Sequence, residues 1–155
     1  MPIVKISMFI DAPQKVCFDL ARSIEVHMLS TSKTREKAIA GKTSGLIELH
    51  ESVTWEAVHF GIRQRLTAKI TEFDSPNLFV DEQVSGAFKR FKHIHEFISY
   101  QGGTHMIDTF EYTAPFGVFG KLADIIFLKK YMYKFLTTRN ETLKMMAEEV
   151  QKSKC

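Results

Sequence analysis

One predicted hairpin carries the side chains of this sequence that could do chemistry. Two runs of alternating polar and apolar residues flank Gly102-Gly103, a pattern that predicts two antiparallel strands joined by a two-residue turn. Because side chains alternate across a strand, His93 and His95 would share one face with Asp108. Histidine titrates near neutral pH and a carboxylate can orient it, so this group could move protons or bind a polar ligand.

The predicted turn also sets the pairing of the two strands. If Gly102-Gly103 forms the turn, the pairs that follow are Gln101 with Thr104, Phe97 with Asp108, His95 with Phe110, and His93 with Tyr112. The face that carries the histidines would consist of Phe91, His93, His95, Phe97, Met106, Asp108, Phe110 and Tyr112. A mostly aromatic face with a few polar groups is what the wall of a ligand cavity requires.

Three interpretations of this polar group are open. His93 and His95 could bind zinc or iron with a third ligand, but no residue fixes that ligand in the sequence, so we predict neither a metal site nor a cofactor. Alternatively, Asp108 orients a histidine for acid–base catalysis on a bound substrate. In the interpretation that we adopt, these groups hydrogen-bond one another and the polar end of a ligand inside an apolar pocket.

The rest of the sequence predicts the elements that must hold this hairpin. Ile3–Ile10 alternates as a first strand, and Asp11 and Pro13 are typical of a helix start, as cap and first-turn residue. Two short helices follow, the second near 24–29. Further strands are predicted near 35–41, 46–60, 62–73, 78–85, 88–100 and 104–113, and one long helix from about 118 to 151. The fold class is therefore α+β.

Other segments add candidate residues to the same interior. Trp55 and His59 share one face of a strand, and Gln64 is a polar exception on an apolar face. Asp81 and Gln83 alternate with valines, so the pattern leaves open which face they occupy. Apolar residues recur at helical spacing in the long helix and are predicted to face the sheet: Phe119, Leu122, Ile126, Tyr133 and Leu136.

Composition bounds the class of protein. The 155 residues are predicted to form one domain, 1–155, and thirteen phenylalanines could fill a core or line a pocket. A net charge of +3 from scattered Lys and Arg gives no nucleic-acid footprint. Cys17 and Cys155 cannot form a metal site alone and fit a reduced compartment. Apolar stretches are too short for a signal peptide or stable membrane insertion, which predicts a cytoplasmic protein.

Several segments resemble one known family over nearly the whole chain, from about Ile3 to Val150. They are Trp55 through Gly61, Phe79 through Gln83, Phe88 through Phe97, Gly102-Gly103-Thr104, Asp108, Tyr112 and Pro115-Phe116-Gly117. Together with the order of elements, they resemble the ligand-binding SRPBCC (START-like) superfamily. Phe91 and Ala87 depart from its pattern, since tryptophan and proline are common there.

The resemblance implies a helix-grip fold: a curved antiparallel sheet of about seven strands wrapped around a long C-terminal helix, with two short helices after the first strand. It also implies a cavity between sheet and helix that binds or carries a small hydrophobic or amphipathic molecule. This fold hosts both carriers and enzymes, so the function must be argued from the site.

A set of candidate ligand-binding residues follows from the patterns and the resemblance together: Trp55, His59, Gln64, Phe91, His93, His95, Phe97, Asp108, Phe110, Tyr112, Phe119 and Ile126. We predict binding rather than catalysis, in a monomer or homodimer. One alternative is a polyketide cyclase or hydratase in which His93, His95 and Asp108 are catalytic. The other is an interaction domain without a pocket.

Overall fold

The computed structural model describes residues 2–123 and 127–154. Its sheet contains β1 (Ile3–Ile10), β2 (Lys37–Gly41), β3 (Ser52–His59), β4 (Ile62–Asp74), β5 (Leu78–Ser85), β6 (Arg90–Tyr100) and β7 (Gly103–Thr113). The spatial order is β1-β7-β6-β5-β4-β3-β2, with every pair antiparallel. Consecutive strands β2 to β7 are therefore neighbours, and only β1 reaches across to pair with the last strand.

Helices cover one face of this curved sheet. They are α1 (Gln14–Ala21), α2 (Ile24–Ser30), α3 (Gly117–Ala123) and α4 (Lys129–Ser153), with a short 3-10 helix at Ser32–Thr34. The predicted α+β helix-grip class is confirmed. The helix predicted over 118–151 is described as α3 and α4, on either side of 124–126. Within the described residues, no helix is long and apolar enough to span a membrane.

The first short helix does not begin as the sequence predicts, whereas the second is capped by a side chain. Ser23 caps α2, because its side-chain oxygen accepts a hydrogen bond from the Val26 amide at 3.2 Å. Asp11 does not cap α1: the capping position is Pro13, and the Asp11 amide donates to the Glu148 carboxylate of α4 at 2.9 Å. The loop between β1 and α1 is thus held by a hydrogen bond to α4 rather than by a cap from the Asp11 side chain.

Helix α4 packs against the sheet along a stripe with helical spacing. Its buried residues are Met132, Leu136, Arg139, Asn140, Leu143 and Ala147. The predicted stripe is correct at Leu136 but wrong at Phe119, Leu122 and Tyr133, which are more than half exposed. Within α4 the buried stripe begins at Met132, and Tyr133 lies one residue, or about 100°, further around the helix. A charged residue, Arg139, lies instead at the centre of the buried face.

The turn between β6 and β7 lies one residue earlier than the sequence predicts. Gln101 and Gly102 form it with φ of 48° and 81°, which is typical of a type I′ turn, and Tyr100 pairs with Gly103. Gly103 is needed for a different reason. A Cβ atom there would lie 2.7 Å from the backbone oxygen of Ile10 on the adjacent strand β1. The second glycine therefore permits close strand packing instead of forming the turn.

This earlier turn changes which side chains face each other. His95 lies opposite Asp108, His93 opposite Phe110, Phe97 opposite Met106 and Ser99 opposite Thr104, so all four predicted cross-strand pairs are wrong. Each partner is displaced by two positions, and side chains alternate with a period of two, so the same residues still share one face. The error therefore moves the partners along the strand but leaves the composition of the face unchanged.

Candidate functional site

A cavity of about 1170 Å³ lies between the inner face of the sheet, α2 and the two C-terminal helices. Its walls are largely apolar and include Trp55, Leu66, Ile70, Phe79, Phe110 and Leu136. Pockets for drug-sized ligands usually have volumes of about 300–1000 Å³, so this cavity has room for a larger molecule.

The cavity brings together most of the residues named from the sequence. Those that line it are Trp55, His59, Gln64, Phe91, His93, His95, Phe110 and Phe119. Phe97, Asp108 and Tyr112 are buried but are not part of the lining, among the described residues. Ile126 lies outside the described residues. Asp81, whose face the sequence left open, lines the cavity, whereas Gln83 hydrogen-bonds the backbone of Phe88.

A chain of buried polar groups crosses three strands at one wall of the cavity. Asp81 on β5 lies 2.8 Å from Nε2 of His95 on β6, and Asp108 Oδ1 on β7 lies 3.1 Å from its Nδ1. The register places His95 and Asp108 directly opposite each other. Both ring nitrogens of His95 are therefore engaged by carboxylates, an arrangement that favours the doubly protonated imidazolium.

Two neighbouring residues of α4 complete this group from the helix side. Asn140 Nδ2 donates to Asp108 Oδ2 at 2.7 Å, and Arg139 Nη1 lies 3.6 Å from the same oxygen. With His95 protonated, the charges of Asp81 and Asp108 are balanced by those of His95 and Arg139. Buried charges persist when they are paired and hydrogen-bonded, so the neutral total explains how this cluster is tolerated.

The surroundings shift the pKa values of this group in opposite directions. Burial alone would lower the pKa of His95, but the charge of Asp108 and the hydrogen bonds to both carboxylates raise it. Burial would raise the pKa of Asp108, yet the charges of His95 and His93 hold it well below its usual range. The pKa of Asp81 is likewise lowered by its hydrogen bond from His95, against the effect of burial. All three shifts therefore favour the ionised form of the group concerned.

His93 is the neutral member of the pair. Burial and the adjacent charge of His95 lower its pKa, and the two rings lie 3.8 Å apart between centroids. Its Nε2 atom is 3.5 Å from Asp108 Oδ2 and makes no hydrogen bond among the described residues. The side chain is nevertheless buried and lines the cavity. A buried imidazole nitrogen is therefore available to a ligand.

A second polar group lies where β3 and α2 meet the cavity. His27 Nε2 is 2.8 Å from Glu36 Oε1, and the His27 ring stacks on Trp55 at 4.0 Å. Burial would raise the pKa of Glu36, but the charge and hydrogen bond of His27 lower it. Glu36 Oε2 has no hydrogen-bond partner among the described residues. Like His93, it leaves one buried polar atom open to a bound molecule.

The mouth of the cavity is aromatic and exposed. His59 Nδ1 lies 2.5 Å from the Tyr131 hydroxyl, and burial lowers the pKa of this histidine. Phe60 packs against Tyr131, with ring centroids 4.5 Å apart. Phe116 and Phe119 line the cavity but are 83% and 80% exposed. Such large uncovered side chains at an opening are typical of a binding site, because isolated proteins seldom expose apolar patches without use.

Sequence reasoning missed Glu36, Arg139, Asn140 and the hydroxyl of Tyr131. Arg139 and Asn140 carry a usable signal, since they lie three and four residues after Leu136 on the apolar stripe of α4. A charged side chain on such a stripe must be paired in the interior. Glu36 precedes a short edge strand, and no local pattern in the sequence marks it as part of the cavity.

Comparison with known proteins places this geometry in context. Residues 10–130 match the family described as polyketide cyclase / dehydrase and lipid transport. No curated protein matches the sequence. Among solved structures, a protein from Thermus thermophilus has a TM-score of 0.79 at 21% identity, covering 96% of this chain and 99% of its own.

Two further structures extend the similarity of the fold. A START superfamily protein from Mycobacterium smegmatis has a TM-score of 0.73 at 10% identity, with 96% of this chain and 98% of that chain covered. The major latex-like protein 151 of Panax ginseng has a TM-score of 0.68 at 12% identity, with coverage of 94% and 97%. At these identities, the structures support the helix-grip fold of this chain and nothing narrower.

Proposed function

Because this chain belongs to the polyketide cyclase / dehydrase and lipid transport family, we propose that it binds a small amphipathic molecule in the cavity between the sheet and α4. The observation that carries the proposal is a large apolar cavity whose walls hold polar atoms without a hydrogen-bond partner in the described part of the chain. Burial of apolar ligand surface supplies roughly 25 cal/mol per Å² before the costs of ordering are subtracted. The polar atoms would then orient the ligand.

The unpaired atoms indicate what the polar end of the ligand contains. Glu36 Oε2 can only accept a hydrogen bond when it is ionised, and Arg139 Nε can only donate one. Both residues line the cavity. A hydroxyl group can satisfy either side chain, and a hydroxyl next to a carbonyl can satisfy both if the ligand spans the two. An apolar body with one oxygenated end is therefore the ligand class that the cavity favours.

Native mass spectrometry of freshly purified protein tests this proposal, followed by organic extraction of anything bound. We expect an adduct that is released on denaturation and whose extracted component is apolar with at least one oxygen function. The same spectra give the oligomeric state. In parallel, Trp55 lines the cavity and is the only tryptophan, so its fluorescence should change on addition of the extracted component.

A matched pair of variants separates cavity binding from surface binding. Ala68 lines the cavity on β4 and is buried, whereas Ala40 is exposed on the edge strand β2. Ala68→Phe should reduce affinity at least tenfold by occupying the cavity, and Ala40→Phe should leave it unchanged. Equal binding by the wild type and Ala68→Phe would place the ligand elsewhere and refute the proposal.

A further inference from the structure

We propose that Asp81, His93 and His95 form a site for a divalent metal ion at the wall of the cavity. Each side chain can offer one ligand atom, and these atoms all lie within 4.8 Å of one another. The two histidines are two residues apart on β6, and β5 places Asp81 directly opposite His93. The sequence left the third ligand undetermined, and the structure supplies it from a different strand.

The spacing of two of the ligand atoms suits metal coordination. Asp81 Oδ1 and His95 Nε2 are 2.8 Å apart. At a metal–ligand distance of about 2.0–2.2 Å, two ligand atoms are separated by roughly 2.8–3.1 Å at the right angle of an octahedral site and by roughly 3.3–3.6 Å at the tetrahedral angle usual for Zn²⁺. The observed spacing matches an octahedral edge, and a tetrahedral ion requires the two atoms to move apart by roughly 0.5–0.8 Å.

His93 gives an independent indication of a ligand. Its Nε2 is buried and has no hydrogen-bond partner among the described residues. Such an atom costs free energy unless a bound group satisfies it. All three side chains line the cavity, so positions left open on the metal would be accessible to a molecule inside it.

The neighbours of the three residues resemble the outer shell of known metal sites. Asp108 Oδ1 accepts from Nδ1 of His95 at 3.1 Å, which fixes the tautomer that leaves Nε2 free for a metal. Asp108 is in turn held by Asn140 at 2.7 Å. Two imidazoles and one carboxylate with open positions suit Zn²⁺ or Fe²⁺.

The charges around the site predict what completes the coordination. Asp81 and Asp108 contribute −2, Arg139 contributes +1 and the divalent ion contributes +2, which leaves +1 in a buried region. An uncompensated buried charge is unfavourable, so an anionic oxygen should occupy an open position. Carboxylates and the enolates of 1,3-dicarbonyl compounds are the ligand classes with that group.

This inference goes beyond the proposed ligand binding and has its own test. Chelator-treated full-length protein is titrated with Zn²⁺ by isothermal calorimetry. We expect one equivalent per chain. Asp81→Asn and His93→Gln should each weaken binding at least 100-fold, and Asp108→Asn by about 10- to 100-fold. His105→Gln is the matched control, since His105 lies on the same hairpin but on its opposite face; its affinity should equal the wild type.

A measurement on the unaltered protein does not depend on how the variants fold. Long-range ¹H–¹⁵N spectra report each histidine ring, and Zn²⁺ should shift the ring nitrogens of His93 and His95 while leaving those of His105 in place. Acetylacetonate, a 1,3-dicarbonyl enolate, should then bind to the zinc-loaded protein at least tenfold more tightly than to the metal-free protein. Absence of stoichiometric binding, shifts confined to other histidines, or no effect of zinc on acetylacetonate would overturn the proposal.

Discussion

Replacing Asp108 by asparagine removes one charge from the centre of the buried cluster. Asp108 is 1% exposed, and its two oxygens face nitrogen donors: His95 Nδ1 at one, and Asn140 Nδ2 and Arg139 Nη1 at the other. In Asp108→Asn, the new side-chain NH2 group would face the nitrogen donors at one of the two former oxygen positions. The charge of the four ionised groups would also change from zero to +1.

The magnitude follows from these losses. Leaving a buried donor unsatisfied costs about 1–3 kcal/mol, and breaking a buried ion pair from one side costs about 3–5 kcal/mol. Because the two effects overlap at the same carboxylate, we expect the free energy of unfolding to fall by about 3–5 kcal/mol. For a chain of this size, that corresponds to roughly 10 °C in Tm. Because Asp108 is buried behind the cavity lining, we expect its loss to lower stability more than it weakens ligand binding.

Urea denaturation at pH 7 measures this quantity, with the slope m compared between proteins to check that the unfolding reaction is the same. The control is Glu111→Gln, which removes a carboxylate from the outer face of the same strand, opposite Lys92. Its effect should stay within about 0.5 kcal/mol. A loss below about 1 kcal/mol for Asp108→Asn, at unchanged m, would show that the buried charge balance does not stabilise the fold.

Two other predictions concern protons and packing. In a ¹⁵N NMR titration, His95 should keep both ring protons above pH 6.5 while His93 has already lost one. The raised pKa of His95 stabilises the fold below pH 6.5, and this contribution is lost as the pH rises through that pKa. The lowered pKa of His93 acts in the opposite direction: the fold is more stable above pH 6.5 and loses this stability as the pH falls. Equal titration of both rings would contradict the assignment. Gly103→Ala should destabilise the protein by about 1–3 kcal/mol relative to the wild type in thermal unfolding, because a Cβ atom at this position meets the backbone oxygen of Ile10. A Tm equal to that of the wild type would show that β1 moves aside without cost.

Alternation and turn residues were sufficient to predict the strands. They placed β5 at its observed residues and β4 within one, and they assigned the polar group of β6 and β7 to the correct face. The strand predicted over 46–60 is wrong at its start: β3 begins at Ser52, because Leu46 makes only an isolated bridge with Ser23 and a turn precedes the strand. The pairing of His95 was wrong because two adjacent glycines satisfy two different needs. Gly102 supplies the positive φ of the turn, and Gly103 allows β1 to approach. A single sequence shows both only as glycine, so the turn position was ambiguous by one residue.

The residues of the site were predictable where several of them lie on the same strand. His93 and His95 share a strand, so their common face followed from spacing alone. Arg139 and Glu36 reach the cavity from a helix and from the start of an edge strand, more than 100 positions apart in the sequence. Their convergence depends on how α4 crosses the sheet, a long-range property that periodicity does not contain. The contributions of Arg139 and Glu36 to the cavity therefore had to come from the structure.

The contacts of Arg139 and Asn140 with Asp108 also restrict how α4 can slide along its axis. An apolar stripe recurs at every turn, so a displacement by one turn, about 5.4 Å, would still place hydrophobic residues against the sheet. The same displacement would remove the hydrogen bond of Asn140 and the nearby charge of Arg139 from Asp108, and it would leave two carboxylates of the cluster with the charge of His95 alone. These polar contacts thus select one docked position among several that hydrophobic burial alone would allow. Since Asp108 reaches its place only when β6 and β7 have paired, we expect α4 to dock in its final position after the hairpin has formed.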